Sequence, residues 1–218
     1  MKNIKVKICC ISSLDEAFLA INLGAHVLGL VGKMPSGPGI ISDDLIAEIA
    51  AAIPKHIESF LLTSETEVEA IIKQHAKVNT TAIQIVDKLT KGTHKELKAA
   101  LPHIKIVQVL HILNQNSVDK ARAISGQVDA LLLDSGNPNL EIKELGGTGR
   151  IHNWELSKSI VEQVKILVFL AGGINASNAL KAIKHVKPYG LDLCSSVRTN
   201  GLLDVDKLAA FFSVINHK

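Results

Sequence analysis

A thiol and a carboxyl group stand at the ends of two short apolar runs in this 218-residue chain. Cys9 follows residues 4–8, and Asp134 ends residues 131–134. Strand side chains alternate between faces, so Lys7 shares a face with Cys9, and its ammonium group favours the Cys9 thiolate. Apolar surroundings favour a protonated carboxyl group. Cys9 is therefore a candidate base or nucleophile and Asp134 a candidate acid, although Cys9 also fits a small buried core residue and Asp134 a helix cap.

Small residues after several of the later apolar runs could surround an anion with backbone N–H groups. These are Gly147 within the cluster 146–149, Gly172 and Gly173, and Ser195 and Ser196. In a barrel of alternating strands and helices, the loops after strands seven and eight commonly bind phosphate in this way. Gly172 and Gly173 also fit a tight strand-to-helix turn. Because the two loops together favour a phosphate site, that is the interpretation that we carry forward.

These residues must be positioned by a regular alternation of strands and helices. Strand-like runs are predicted at residues 4–9, 26–31, 57–62, 82–85, 104–110, 130–134, 166–170 and 190–194. Helical patterns follow at 14–23, 43–52, 65–76, 93–101, 117–124, 154–164, 176–186 and 205–215, with start signals at Ser42, at Thr63-Ser64 and at Asn175. Eight such units in a chain of this length predict an α/β fold, a single (β/α)₈ TIM barrel domain spanning 1–218, in preference to an open Rossmann or flavodoxin-like sheet.

The composition excludes several classes of function. The net charge is +3 with only 3% aromatic residues, which argues against nucleic acid as a partner. The apolar runs are too short to span a membrane, and three cysteines with no apolar leader predict a cytoplasmic protein. The histidines lie in helical or polar segments, which predicts surface positions, and a metal or disulfide between Cys9 and Cys194 is the weaker reading of those two thiols.

The order of these motifs resembles the phosphoribosylanthranilate isomerase family along the whole chain. The resemblance rests on Lys7-Ile8-Cys9, Leu133-Asp134, Gly146-Gly147-Thr148-Gly149, Ala171-Gly172-Gly173-Ile174-Asn175, and Leu191-Asp192 before Ser195-Ser196. It implies a TIM barrel that catalyses an Amadori rearrangement in tryptophan biosynthesis without metal or cofactor. It also implies that Cys9 is the general base, that Asp134 is the general acid and that the substrate is a small phosphorylated molecule. We expect the protein to be a monomer or a homodimer.

The chain departs from the family pattern at the loop after strand two. The arginine that usually holds the anthranilate carboxylate is absent, since Gly37-Pro38-Gly39 stand there. We expect Arg150 or Arg198 to supply the missing charge. Two alternatives stay open, a divergent member that takes a different phosphorylated sugar amine and an inactive barrel that binds a phosphometabolite. Asp192 is expected to pair with Lys7 or Lys5.

Overall fold

A computed structural model describes residues 4–137, 139–140, 143–146 and 149–216. Eight parallel strands form a closed barrel in chain order: β1 (Lys5–Ile8), β2 (Val27–Val31), β3 (Glu58–Thr63), β4 (Ala82–Ile85), β5 (Lys105–His111), β6 (Ala130–Asp134), β7 (Leu167–Leu170) and β8 (Gly190–Leu193). The barrel closes between the first and last strands, where Lys7 lies opposite Asp192. The predicted TIM barrel is confirmed.

Eight α-helices surround the strands: α1 (Leu14–Leu23), α2 (Asp43–Ala52), α3 (Val68–Val78), α4 (His94–Ala100), α5 (Asn116–Ser125), α6 (Trp154–Gln163), α7 (Ala179–Val186) and α8 (Val205–Asn216). A 3₁₀ turn, η1 (Ser195–Val197), follows β8, and β9 (Arg198–Thr199) and β10 (Leu202–Leu203) form a small antiparallel ribbon before α8. No helix within the described ranges is both long enough and apolar enough to cross a membrane.

Two helices begin later than the sequence pattern predicts. The helix predicted from residue 65 begins at Val68, because Thr63 still belongs to β3 and its hydroxyl accepts the Glu65 N–H. The helix predicted from residue 176 begins at Ala179, because the Asn175 side chain accepts the Ser177 N–H and holds an Asx turn instead. Most other boundaries lie within a residue or two of those predicted.

The fold contains two apolar clusters, one between the strands and the surrounding helices and one in the interior of the barrel. Val6 and Ile8 face the helices, whereas Lys7 points into the barrel with no exposed surface. Gly29 of the neighbouring β2 makes room for it, because a Cβ atom there would lie 2.9 Å from Lys7 Nζ. A glycine inside a strand often marks such a close approach. The barrel centre is therefore charged directly beneath Cys9.

Candidate active site

A cavity opens at the carboxyl ends of the strands. This is the barrel face on which TIM-barrel enzymes place their catalytic groups. Cys9 and Asp134 both line the cavity, so the structure brings the predicted acid and base together. One side is apolar and includes Val31, Met34 and Leu62. The cavity can thus hold a molecule with an apolar part and a polar part.

Cys9 lies one residue beyond β1 and is held there by its backbone. Its N–H donates to the Leu193 carbonyl at 2.8 Å, which continues the β1–β8 ladder, and its side chain is buried. Thiol hydrogen bonds from Cys10 and Cys194 lower the pKa of Cys9 well below its ordinary value, and the charge of Lys7 lowers it further. A thiolate at neutral pH is a competent base. The neighbouring thiols contribute more to this shift than the lysine named by the sequence prediction.

Lys7 and Asp192 form a buried ion pair beneath Cys9. Lys7 Nζ lies 2.8 Å from Asp192 Oδ1, so the predicted pair is present, with Lys7 rather than Lys5. Burial alone would lower the pKa of Lys7, but the opposite charges of Asp192 and Cys9 outweigh it and raise that pKa. The ammonium group is therefore charged at all working pH values, whereas burial raises the pKa of Asp192 to about 7 although the charge of Lys7 opposes this.

Asp134 ends β6 and is 7% exposed. Its carbonyl accepts the Ile112 N–H at 2.9 Å, which fixes the strand end. Burial raises the pKa of Asp134 to about 6, and hydrogen bonds from Ser135 only partly oppose this. Asp134 therefore holds a proton far more readily than an exposed carboxyl group, while Cys9 loses one more readily than an exposed thiol. An acid whose pKa is raised and a base whose pKa is lowered, each toward neutral pH, are typical of acid–base sites.

Four of the five predicted phosphate residues lie on the rim of the same cavity, namely Gly172, Gly173, Ser195 and Ser196. Gly172 and Gly173 have φ values of +77° and +66°, which glycine adopts readily. The Ser196 hydroxyl is buried and has no hydrogen-bond partner among the described residues. The fifth, Gly147, lies outside the described residues. This rim could hold an anion.

Neither predicted carboxylate ligand faces the cavity. Arg198 is 9% exposed, and its guanidinium donates to Glu16 Oε1 at 2.9 Å and to the carbonyl oxygens of Cys9 and Cys10. Its side chain ties α1 and the end of β1 together, and Arg198 is not among the residues that line the cavity. The Arg150 side chain is 58% exposed and pairs with Glu144. No lysine, arginine or histidine is found among the described residues that line the cavity.

Gln84 is a lining residue that the sequence analysis did not select. It lies in β4 with 3% exposure, and its Oε1 atom is buried with no hydrogen-bond partner among the described residues. Because buried acceptors are normally paired, Gln84 is a candidate to accept a hydrogen bond from a ligand. The available signal was a lone amide in the otherwise apolar run 82–86. In the described part of the chain, no group of three or more His, Cys, Asp or Glu side chains is arranged to hold a metal ion.

Known proteins resemble this chain over nearly its whole length. A model of the N-(5'-phosphoribosyl)anthranilate (PRA) isomerase family matches residues 6–214. N-(5'-phosphoribosyl)anthranilate isomerase 2 of Methanosarcina mazei is 30% identical over 95% of this chain and 92% of its own. The corresponding isomerase of Microcystis aeruginosa is 32% identical over 94% of each chain. The solved structure of the Thermotoga maritima phosphoribosyl anthranilate isomerase matches with a TM-score of 0.80 at 24% identity, covering 98% of both chains, and supports the fold.

Proposed function

The chain belongs to the N-(5'-phosphoribosyl)anthranilate isomerase family, and from this premise we propose that Cys9 and Asp134 are the base and acid of that isomerisation. The reaction converts the phosphoribosyl amine into a 1-deoxyribulose phosphate in tryptophan biosynthesis, as the sequence resemblance implies. One observation carries the assignment of roles. The two groups line one cavity with pKa values shifted in opposite directions.

Each proton transfer uses one of these groups. Asp134, protonated on substrate binding, gives its proton to the ribose ring oxygen, and the ring opens to a Schiff base. The Cys9 thiolate then removes the proton from C2, and the resulting enolamine becomes the keto product. After these two transfers Asp134 is a carboxylate and Cys9 is a thiol, and proton exchange restores the starting state of each group.

The rest of the cavity binds and orients the substrate. The amides of Gly172, Gly173, Ser195 and Ser196 face the phosphate, since consecutive glycines let a backbone approach an anion closely. The aromatic ring lies against the apolar side. The Gln84 carboxamide oxygen accepts a hydrogen bond from a sugar hydroxyl group. We expect the protein to act in the cytoplasm.

The lack of a cationic side chain among the described lining residues favours a second candidate substrate, a phosphorylated sugar amine without a carboxylate. The described lining residues supply no lysine, arginine or histidine for the anthranilate carboxylate. Growth of a tryptophan auxotroph that lacks this isomerase, with the chain supplied on a plasmid, favours anthranilate. No growth, together with turnover of the phosphoribosyl derivative of aniline, favours the second candidate.

Substitution of Cys9 by Ser tests the catalytic assignment. Loss of a general base costs about 10²–10⁴-fold in rate, so kcat should fall by that factor while KM changes little. Asp129→Asn is a matched control at the opposite end of the β6 region, where its carboxylate pairs with Lys98 and accepts the Ile106 N–H at 2.8 Å. That variant should lose stability and keep kcat. Full turnover by Cys9→Ser would show that the base lies elsewhere.

A further inference from the structure

Three thiols meet at the edge of the cavity, and the proposed isomerisation uses only one of them. Cys10 Sγ lies 3.1 Å from Cys194 Sγ and 3.8 Å from Cys9 Sγ. All three cysteines are reduced and line the cavity, so a small solute that enters it can reach them. Cys10 and Cys194 therefore have close chemical neighbours, and neither takes part directly in the proposed proton transfers.

The backbone holds Cys10 toward the other two sulfur atoms. Cys10 adopts a φ of +64°, which is uncommon for a residue with a side chain. The loop after β2 packs directly against it, because a Cβ atom on Gly39 would lie 2.4 Å from Cys10 Cβ. Cys10 Sγ also lies 3.5 Å from the Pro38 carbonyl oxygen. Strain of this kind persists only where the surroundings impose it.

We propose that Cys10 and Cys194 are a resolving pair, which returns Cys9 to its free thiol after attack by a low-molecular-weight disulfide and ends as a Cys10–Cys194 disulfide. The pair is a modification site whose co-reactant is a small disulfide of the glutathione type. This proposal goes beyond the isomerisation, since thiol exchange at these atoms does not depend on sugar chemistry.

The exchange proceeds in three balanced steps. The Cys9 thiolate attacks the small disulfide RSSR, which forms Cys9–S–SR and releases RS⁻. Cys10 attacks Cys9 Sγ, forms a Cys9–Cys10 disulfide and releases the second RSH. Cys194 then attacks Cys10 Sγ, forms the Cys10–Cys194 disulfide and frees Cys9. Two protein thiols are oxidised, and one RSSR is reduced to two RSH.

The electrostatics fix which thiol reacts first. Cys9 has the lowered pKa and is the nucleophile, whereas hydrogen bonding to neighbouring sulfur atoms and burial raise the pKa of Cys10. Part of the shift in Cys10 comes from the negative charge on Cys9. Once the Cys9 sulfur is part of a mixed disulfide it no longer carries this charge, so that part of the shift disappears and Cys10 becomes a better nucleophile than before. The attack by Cys10 is thus favoured only after Cys9 has reacted.

Geometry favours the final pair over the intermediate. Neighbouring Cα atoms are about 3.8 Å apart, below the about 4.4–6.8 Å usual for disulfides, so a Cys9–Cys10 bond is strained and easily exchanged. The Cys10 and Cys194 sulfur atoms, 3.1 Å apart, must approach by only about 1 Å to reach bonding distance. Transient disulfides of this sort also occur in reducing compartments.

Mass spectrometry of the full chain tests the proposal. The protein is incubated with oxidised glutathione, quenched in acid, alkylated and digested. We expect a chain lighter by two hydrogens, a crosslink between the peptides of Cys10 and Cys194, and an alkylated Cys9. A chain that keeps a glutathione adduct on Cys9, with Cys10 and Cys194 both alkylated, overturns the proposal.

The matched variant is Cys194→Ser, which removes only the last thiol. In this variant the exchange should stop with Cys9 in a glutathione adduct or in a Cys9–Cys10 disulfide. Circular dichroism checks that the variant is folded. If it is not folded, the time course of the wild-type protein decides, because the adduct on Cys9 must appear before the crosslink. An adduct that never precedes the crosslink contradicts the relay. These readouts are masses, so failure of the isomerase assignment would leave them unchanged.

Discussion

Replacing Asp134 by Asn should stabilise the protein relative to wild type increasingly as the pH rises. Burial raises the pKa of Asp134 to about 6 in the folded protein, whereas an unfolded carboxyl group titrates near 3.9. The folded state therefore binds this proton more tightly than the unfolded state. Its contribution to stability is fully present below the unfolded pKa and is lost as the pH rises through the folded pKa.

The shift sets the size of the effect. A difference of about 2 pKa units at about 1.36 kcal/mol per unit gives about 3 kcal/mol lost above pH 7. About half of this loss has accrued at pH 5, so about 1.4 kcal/mol remains to appear between pH 5 and pH 8. Asn is neutral at both values. The stability of the Asn variant minus that of wild type should thus grow by about 1.4 kcal/mol over this interval.

Urea unfolding of both proteins at pH 5 and pH 8 measures this difference. Glu16→Gln is a useful control, because Glu16 is also buried but pairs with Arg198. Although burial opposes it, hydrogen bonding to Arg198 lowers the pKa of Glu16. Its contribution is lost only at more acidic pH, so the control should be destabilised by nearly the same amount at pH 5 and pH 8.

If the difference in unfolding free energy between Asp134→Asn and wild type did not change with pH, the reasoning would be refuted, because Asp134 would then titrate like an exposed group.

The same pKa should appear in the kinetics of the wild-type enzyme. There kcat/KM should fall about tenfold per pH unit above about pH 6, as Asp134 loses its proton. A profile that is flat from pH 6 to pH 8 would leave the acid role without support.

Three further substitutions test the remaining groups. Gly173→Ala should raise KM more than it lowers kcat and should weaken inhibition by inorganic phosphate, because a Cβ atom there would lie 2.9 Å from the Gly149 carbonyl oxygen; unchanged phosphate inhibition would contradict this. Gln84→Leu should raise KM about tenfold yet leave unfolding free energy equal or higher, since it removes an unpaired buried acceptor. Asp192→Asn should lower the free energy of unfolding by about 3–5 kcal/mol, because Lys7 is left buried without its carboxylate partner. It should also change the rate at which iodoacetamide alkylates Cys9.

The sequence predicts the barrel and the two strand-end groups well because both depend on local periodicity. Alternation of apolar runs with helical patterns places Cys9 and Asp134 at carboxyl ends of parallel strands, and such ends meet at one face of a barrel. The Lys7–Asp192 pair could be predicted for the same reason, since the first and last strands of a closed barrel must be neighbours.

Side-chain directions that depend on distant partners could not be predicted in this way. Arg198 follows the last strand as a substrate ligand would, but its guanidinium reaches Glu16 on α1. Two histidines in helical segments are buried rather than exposed, since His75 reaches the Thr80 carbonyl at 2.8 Å and His94 reaches Gln108 Oε1 at 2.8 Å. Each partner is set by the packing of helices against the barrel, which sequence spacing does not reveal.

A buried cluster of charges links the protonation of Asp134 to that of Cys9. Lys7 brings one positive charge and the Cys9 thiolate one negative charge, and Asp192, whose pKa burial raises to about 7, adds a second negative charge when it ionises. With these groups ionised, their sum is already negative, so a further anion at Asp134 meets repulsion from Cys9 in addition to the cost of burial. The negative charge of Cys9 therefore helps to keep the Asp134 carboxyl group protonated, whereas the charge of Lys7 opposes this. Exchanging Lys7 for a neutral residue should move both pKa values upward, because its charge lowers each of them.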